Sequence, residues 1–490
     1  MSDNNKVYIT TTLPYVNADP HIGHAMEFIR ADVLARYLSL KGKEVFLNTG
    51  TDEHGAKIDE AAKEEGIDPQ AYTDRLAKRF QELGPKLGLA TAVSGITFNF
   101  IRTTDTHHKA AAQEFWKKCA ANGDIYKKLY KTKYCIGCEL EKTDSELVGG
   151  HCVDHPNREL EIREEENYFF KFSRYQEALK KYFADNPTFV IPETRRNEMR
   201  AFLDRGLEDF SISRVKAKMP WGVAVPDDET QVMYVWFDAL VNYISAIGWP
   251  TDMRKFESWW PVIQYCGKDN TRQQSLMWQA MLMSAKIPLS SHIIVNGFIT
   301  SAGGVKMSKS LGNVINPFNV IEYFAPHTPF PEDVLRFVLL HDIPSFEDGG
   351  LTFESIQSSY AAHLQNGIGN LTSRIMKMAT THLMSPIEIP PVLENTSIDV
   401  QFEQFDLKRA LESVMRAVSE LDVYIQETAP FKVVKTEPEK GAELIVEMIE
   451  RLHSIAFLLR PFLPRTAEEI LRLIREHKMP EAPLFNRLPQ

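Results

Sequence analysis

Two histidines at His21 and His24, separated by Ile-Gly, are side chains whose type and spacing suggest chemistry. They stand at the predicted start of a helix, so both rings can point the same way from its first turn. The N–H groups and the positive dipole end of a helix start favour a phosphate there. Gly23 has no side chain, so a flat ring or a sugar could lie against the backbone. The pair is interpreted as a nucleotide-phosphate site, although an isolated pair of this kind is more often a chance helix cap.

A second group is Cys135-Ile-Gly-Cys138, followed after residues 139–151 by Cys152-Val-Asp-His155. Each pair encloses two residues, the spacing of a tight turn that presents two ligands to one tetrahedral ion. Four such ligands leave no open position, which predicts a structural zinc site. A disulfide framework is the alternative, and five cysteines without a recognisable signal peptide favour it less.

The elements around the histidine pair predict a βαβ unit. Residues 7–12 are β-branched and aromatic, residues 25–40 carry apolar side chains at helical spacing, and residues 44–48 read as a second strand. Ligands of such a unit bind beyond the carboxyl ends of its strands. Asp52 and His54 follow the second strand and are expected at the same edge as the histidine pair.

Length and composition predict a large soluble enzyme. A chain of 490 residues allows about three domains, and no apolar run is long enough to cross a membrane. The protein is therefore expected in the cytoplasm. The net charge of −10 restricts nucleic-acid binding to local basic patches. Clusters at residues 127–133 and 195–205 are read either as such patches or as solvated helix faces.

Far downstream, Gly303 and Gly304 lead into Lys306-Met307-Ser308-Lys309-Ser310. With His-Ile-Gly-His this sequence resembles the class I aminoacyl-tRNA synthetases, whose two signatures are a HIGH tetrapeptide and a KMSKS loop. The resemblance implies that ATP binds to both signatures, together with Mg²⁺, and that a glycine-hinged loop closes on it. The residues implied in ATP binding are His21, Gly23, His24, Lys306, Ser308 and Lys309; those implied in catalysis are His21, His24, Lys306, Lys309 and Arg214.

Within that class the chain resembles the methionyl branch over essentially its whole length. The resemblance rests on Thr12-Leu13-Pro14-Tyr15, on Tyr-Val-Trp-Phe-Asp-Ala from residue 234, on the zinc ligands and on the helical tail. It implies a methionine pocket in which Asp52 holds the amino group, and the pocket residues are Leu13, Tyr15, Asp52, Trp236, Tyr243 and Asn296. Two positions depart from the pattern, because Asn296 and Gln274 stand where histidines are common.

The helical tail suggests anticodon recognition. Asn366, Asn370 and Arg374 recur every four residues and would project from one helix face, and Phe431 follows Ala-Pro. The methionyl branch reads its anticodon with such a row and an aromatic ring, commonly tryptophan, that stacks on a base. An exposed polar helix face is the alternative.

The predicted fold is therefore α/β: a parallel Rossmann-like nucleotide-binding fold split by a zinc-knuckle insertion and followed by an all-α anticodon-binding helical bundle. The boundaries are residues 1–122 and 226–325 for the two catalytic halves, 123–225 for the insertion, with its zinc knuckle at 135–155, 326–355 for a stem-contact linker and 356–490 for the bundle. The expected function is activation of L-methionine with ATP and its transfer to tRNA(Met), the initiator included, by a monomer that does not bind membranes. The alternatives are a cysteinyl or leucyl enzyme and a tRNA-binding protein that has lost catalysis.

Overall fold

The structure is a computed structural model that describes residues 5–90, 95–138, 140–142, 147–301, 315–388 and 398–489. The KMSKS loop lies outside these residues. The roles predicted for Lys306, Ser308 and Lys309, and for the glycines before them, therefore stay predictions.

The first part of the chain alternates strands and helices, as the βαβ pattern predicts. Its elements are β1 (Lys6–Thr10), α1 (Ile22–Leu40), β2 (Glu44–Thr51), α2 (Ala56–Glu65), α3 (Pro69–Lys86), β3 (Ile96–Arg102) and α4 (Thr106–Ala121). One helix was expected over residues 58–87, and the structure has two. Gly66 ends α2 with a φ of 69°, and the Asp68 carboxylate accepts the Gln70 N–H at 2.8 Å to begin α3.

The predicted insertion is mostly antiparallel. Its elements are β4 (Ile125–Cys135), β5 (Leu140–Lys142), β6 (Leu147–Val148), β7 (His151–Cys152), β8 (Glu161–Phe170), α5 (Gln176–Asp185), β9 (Val190–Ile191), α6 (Glu193–Arg205), β10 (Phe210–Ser211), β11 (Ser213–Val215) and β12 (Ala224–Val225). The first basic cluster lies on β4, opposite β8, so it is not a helix face. Lys131 reaches Glu164 at 3.2 Å and Lys127 reaches Asp228 at 2.8 Å.

The second catalytic part returns to the parallel sheet. Its elements are β13 (Asp228–Met233), α7 (Val235–Ala239), α8 (Asn242–Ser245), α9 (Met253–Trp259), β14 (Val262–Gly267), α10 (Trp278–Ala285), β15 (His292–Asn296), β16 (Ile299–Thr300), α11 (Pro317–Phe324), α12 (Pro331–His341) and β17 (Gly349–Gly350). The sheet has the order β3-β2-β1-β14-β15-β9, and all its pairs are parallel. Its last strand, β9, comes from within the predicted insertion, which the sequence did not indicate.

The remainder of the described chain is helical. Its elements are α13 (Phe353–Ser359), a π-helical segment (Tyr360–Gly369), α14 (Asn370–His382), α15 (Asp399–Glu403), α16 (Leu407–Thr428), α17 (Pro430–Thr436), α18 (Pro438–Leu459) and α19 (Pro464–Glu476). Thr466 and Glu469 have the spacing of a capping box, which predicts that the last helix begins at Thr466, and this prediction is wrong. Helix α19 begins at Pro464, and the buried Thr466 hydroxyl instead donates to Asp333 on α12 at 2.7 Å.

A buried ionic cluster joins the catalytic part to the helical part. Asp32 on α1 accepts from Arg36 Nε at 2.7 Å and lies 2.7 Å from Arg336 Nη1 on α12. Arg336 also donates to the carbonyls of Phe462 and Pro461, at 2.7 and 2.9 Å, just before α19. Helix α1 begins at the histidine pair. These bonds therefore hold α1, which carries the candidate site, against α12, and they hold α12 against the segment just before α19.

Candidate active site

The two histidines at the start of α1 lie face to face. Their ring centroids are 3.6 Å apart and the rings are 18° from parallel. The Gly23 N–H donates to Nδ1 of His21 at 3.1 Å, and the His21 N–H donates to Nδ1 of His24 at 3.3 Å. A side chain at position 23 would meet the His21 ring at 3.0 Å, which accounts for the glycine. The prediction that both rings point the same way is confirmed by this stacking.

The same hydrogen bonds correct one part of the sequence reasoning. The first N–H groups of α1 were expected to face a phosphate, but Gly23 donates to the His21 ring and Ile22 donates to the Ile315 carbonyl at 3.1 Å. Since Nδ1 accepts in both rings, each neutral imidazole carries its proton on Nε2. The first two backbone amides of α1 are thus bonded within the protein, and each ring has its donor on Nε2.

The loop after β2 is held rigidly at the same sheet edge. Tyr15 and Asp52 form a parallel bridge, in which the Asp52 N–H donates to Pro14 at 2.9 Å. The next residue, Glu53, is fully buried and forms a two-point ion pair with Arg102, at 2.7 and 2.9 Å. Asp52 therefore occupies a fixed place beside Tyr15, as the predicted methionine pocket requires. Leu13 packs nearby in a small cluster with Ile101 and Ala246.

The two pocket aromatics do not share one helix. Residues 240–241 separate α7, which carries Trp236, from α8, which carries Tyr243. Tyr243 is buried against Trp278, with ring centroids 6.0 Å apart. Its hydroxyl accepts from Gln274 Nε2 at 2.6 Å, and Gln274 Oε1 accepts from Gln264 at 2.8 Å. Gln274, one of the two departures, is therefore part of the support of Tyr243.

Asn296 ends β15, and its side-chain oxygen accepts a hydrogen bond. Arg30 Nη1 on α1 donates to its Oδ1 at 2.9 Å, and the rest of that guanidinium is bonded to the carbonyls of residues 343–345. A methionine contact at Asn296 stays a prediction.

Arg214 is buried rather than at the surface. It donates to Ser211 Oγ at 2.9 Å and to the Ser213 carbonyl at 2.7 Å. Its guanidinium lies 4.3 Å from the centroid of the Tyr234 ring, one residue before α7. The catalytic role of Arg214 stays a prediction.

Sequence reasoning missed Glu27. Its carboxylate accepts the Thr12 N–H at 2.7 Å and so ties the end of β1 to α1, one turn after His24. Burial raises the pKa of Glu27 to about 7, against the lowering effect of that hydrogen bond. Its spacing from His24 on one helix face was the only signal in the sequence.

The four predicted zinc ligands converge. Their nearest donor atoms all lie within 4.8 Å of one another, and Cys138 Sγ is 3.3 Å from Cys152 Sγ and 3.2 Å from His155 Nδ1. A tetrahedral zinc ion would separate two sulfurs by about 3.8 Å and a sulfur from a nitrogen by about 3.6 Å. A side chain at Gly137 would lie 2.4 Å from the His155 ring, so the turn closes only with glycine. The residues fit a structural metal ion such as zinc.

The predicted anticodon row is exposed but irregular. Asn366 lies in the π-helical segment and Asn370 begins α14, with a non-helical residue at Gly367 between them. Both asparagines are exposed, whereas Arg374 is paired with Asp422 on α16. Phe431 is the second residue of α17 and is 45% exposed. The row thus spans the π-helical segment and α14 rather than one regular helix face.

The family described as "tRNA synthetases class I (M)" matches residues 7–159 and 145–376, and the one described as "Anticodon binding domain of methionyl tRNA ligase" matches residues 393–483. The chain is similar to methionine–tRNA ligases of Rhizobium meliloti, at 38% identity over 97% of this chain and 92% of the relative, and of Thermotoga maritima, at 37% over 97% and 76%. It also resembles the Mycobacterium tuberculosis methionyl-tRNA synthetase in complex with methionyl-adenylate, with a TM-score of 0.88 and 33% identity over 98% of this chain and all of that one.

A parallel sheet that carries the histidine pair at its edge, together with these matches, defines a class I aminoacyl-tRNA synthetase. Within that class, the chain belongs to the methionyl-tRNA synthetase family. The predicted fold class, enzyme class and overall reaction, methionine activation followed by tRNA charging, are confirmed. None of the described helices is both long and apolar enough to cross a membrane.

Proposed function

We propose that the sheet edge at α1 is where the protein joins methionine to ATP. The stacked His21 and His24 pair carries this proposal, because both rings stand at the start of α1 and each has Nδ1 as an acceptor and its proton on Nε2, a donor that suits a triphosphate oxygen. The methionine carboxylate attacks the α-phosphate and pyrophosphate leaves, so no protein nucleophile is needed. The protein contributes position and charge stabilisation.

Asp52 is proposed to hold the ammonium group of methionine. Its place beside Tyr15 is fixed by backbone bonds on both sides, which suits a group that must orient a substrate. Leu13, Tyr15, Trp236 and Tyr243 would then surround the thioether, which packs well against aromatic rings. Arg214 lies over the ring of Tyr234, the residue just before the helix that carries Trp236, and is proposed to act on the reacting groups.

Lys306 and Lys309 are proposed to reach the departing pyrophosphate, with Ser308 beside them. Mg²⁺ is proposed to enter with ATP and to neutralise part of the triphosphate charge. The adenylate is then attacked by the terminal ribose of tRNA(Met), initiator included, while Asn366, Asn370, Arg374 and Phe431 read the anticodon.

The cysteine–histidine cluster is proposed to hold one zinc ion with a structural role. Four protein ligands leave no position for a reacting water. Lys57 on α2 donates to the Gly137 carbonyl at 3.0 Å, so the cluster is tied to the catalytic part. We also propose a cytoplasmic monomer, and the mass of the protein in solution tests its oligomeric state.

The deciding experiment is exchange of labelled pyrophosphate into ATP with each of the twenty amino acids in turn, without tRNA. Exchange that depends on methionine alone is expected. Exchange with cysteine or leucine instead, or with no amino acid from folded and zinc-loaded protein, would overturn the proposal. Charging of tRNA(Met) with labelled methionine then tests the second step.

A further inference from the structure

A buried polar network lies behind the proposed methionine pocket. Asp238, with no exposed surface, stands at its centre on α7. Its Oδ2 is 2.9 Å from Nδ1 of His54, in the loop after β2, and its Oδ1 is 3.1 Å from Nε2 of His108 on α4. Nδ1 of His108 in turn lies 3.0 Å from Ser245 Oγ on α8. One carboxylate thus connects four separate elements.

The sequence positions of three network members link the network to the proposed methionine pocket. His54 lies two residues after Asp52, Asp238 two residues after Trp236, and Ser245 two residues after Tyr243. The three residues proposed to contact the methionine ammonium and thioether are therefore each attached to a network member.

The short helices need such support. Helix α7 has five residues and α8 has four, and neither has a side-chain cap at its start. Helices this short are not stable by their own hydrogen bonds. Trp236 and Tyr243 consequently depend on packing and on bonds to other elements for their position. The bonds from Asp238 and Ser245 to His54 and His108 supply fixed directions that apolar packing does not.

The charge state of Asp238 agrees with this geometry. Burial alone would raise its pKa, but His54 and His108 beside it hold that pKa below the usual range. The group is therefore a carboxylate, which only accepts hydrogen bonds, so the ring nitrogen facing each oxygen carries a proton. Replacing it by an amide would set an N–H against one of these rings and force that ring to change tautomer or turn.

We propose that Asp238, with His54, His108 and Ser245, forms a positioning network. This network holds Asp52, Trp236 and Tyr243 in the positions in which they bind methionine. This rests on the proposed roles of those three residues. The network does not contact ATP in this proposal, because the ATP groups lie on α1 and on the KMSKS loop. Its loss should weaken methionine binding and leave ATP binding as it is.

The test compares Asp238→Asn, His108→Ala and His108→Gln in methionine-dependent pyrophosphate exchange, with methionine affinity measured separately by equilibrium dialysis. Glutamine can still donate to Asp238 from the position of Nε2, whereas alanine cannot. We expect Asp238→Asn and His108→Ala to raise the KM and Kd for methionine about tenfold to a hundredfold, the range for a lost charge-assisted hydrogen bond. The KM for ATP should stay within about threefold, and His108→Gln should restore most of the methionine affinity.

Asp333→Asn is the matched control, since it makes the same change at another fully buried carboxylate, on α12. It should leave the KM for methionine unchanged. The proposal is overturned if the two KM values rise together, if only the amount of active enzyme falls, or if His108→Gln behaves like His108→Ala. Should Asp238→Asn not fold, the two His108 variants still decide. Absence of methionine exchange in the unaltered protein would instead refute the proposed function.

Discussion

The same substitution at two buried aspartates is expected to have opposite effects on stability. Asp32 and Asp333 are both fully buried, and Arg336 lies close enough to lower the pKa of each. They differ in the protonation state that their surroundings favour. Asp32→Asn should destabilise the protein strongly, whereas Asp333→Asn should not.

The cost at Asp32 follows from its partners. Burial alone would raise its pKa, but Arg36 and Arg336 hold that pKa below the usual range, so the group is ionised in the folded protein. Its oxygens accept from Arg36 and from the Ala90 N–H, each at 2.7 Å. An asparagine would remove the counter-charge of the buried Arg36 and leave the buried Arg336 with Asp333 alone. Removing one partner of a buried ion pair costs about 3–5 kcal/mol.

Asp333 is the reverse case. Burial raises its pKa to about 6, despite Arg336 and the hydrogen bonds from Thr466. A pKa near 6 instead of 3.8 means that keeping the group ionised costs about 3 kcal/mol above pH 7. Asparagine avoids that cost and can still accept from Thr466, although less strongly. The expected change therefore lies between about 0 and 3 kcal/mol of stabilisation at pH 8.

The pH dependence separates the two sites. The folded-state pKa of Asp333 is above its unfolded value, so its contribution is fully present below about pH 4 and is lost as the pH rises through 6. The stability difference between Asp333→Asn and the unaltered protein should therefore grow from pH 4 to pH 7. The folded-state pKa of Asp32 is depressed, so the deficit of Asp32→Asn should be full above about pH 4 and shrink in acid.

Differential scanning calorimetry of the unaltered protein and the two variants, at intervals from pH 3 to pH 8, measures this. A loss of about 3–5 kcal/mol corresponds to a fall of roughly 6–20 °C in the affected transition. Because several domains can unfold separately, the transition that contains α1 and α12 is the one compared. A deficit below about 1 kcal/mol for Asp32→Asn, or an equal loss for both variants, would refute the reasoning.

Four further outcomes test the site. His24→Ala should lower the kcat of pyrophosphate exchange about 10²- to 10³-fold, the cost of one charge-stabilising donor, with the KM for methionine unchanged. Gly137→Ala should abolish stoichiometric zinc by mass spectrometry, because its Cβ would lie 2.4 Å from the His155 ring. Phe431→Ala should raise the KM for tRNA by the equivalent of about 1–3 kcal/mol without changing exchange. Homocysteine should be activated at a rate about 10- to 200-fold below methionine, since only a methyl group distinguishes the two; a gap above 10⁴ would contradict this.

Local patterns predicted the parts of the molecule that local forces determine. The β-branched run of β1, the helical spacing of α1 and the paired Cys-x-x-Cys and Cys-x-x-His turns each act within a few residues. They therefore placed the first βαβ unit and the metal cluster correctly. The break at Gly66 is also determined locally, because the Gly-x-Asp-Pro sequence of residues 66–69 ends one helix and begins the next. The sequence therefore contained the signal for two helices.

The rest depends on contacts between distant residues. Asp238, His54 and His108 have no common spacing, and only the folded sheet edge brings them together. Thr466 looked like a helix cap, but the buried carboxylate of Asp333 is a stronger partner for its hydroxyl than the helix it was expected to begin. Strand β9 has two residues, too few for any periodicity to mark it.

The two departures from the family pattern are explained by what their neighbours need. Gln274 both donates to the Tyr243 hydroxyl and accepts from Gln264, which requires a donor and an acceptor at the end of one side chain. Asn296 offers Arg30 an oxygen, where a protonated imidazole would offer only N–H groups to a guanidinium. An uncharged amide at both positions also keeps its hydrogen-bonding roles at every pH near neutrality, which a histidine does not. The proposed methionine pocket thus has two amide side chains whose hydrogen-bonding roles do not change near neutral pH. We therefore expect any pH effect on methionine binding to come from other groups.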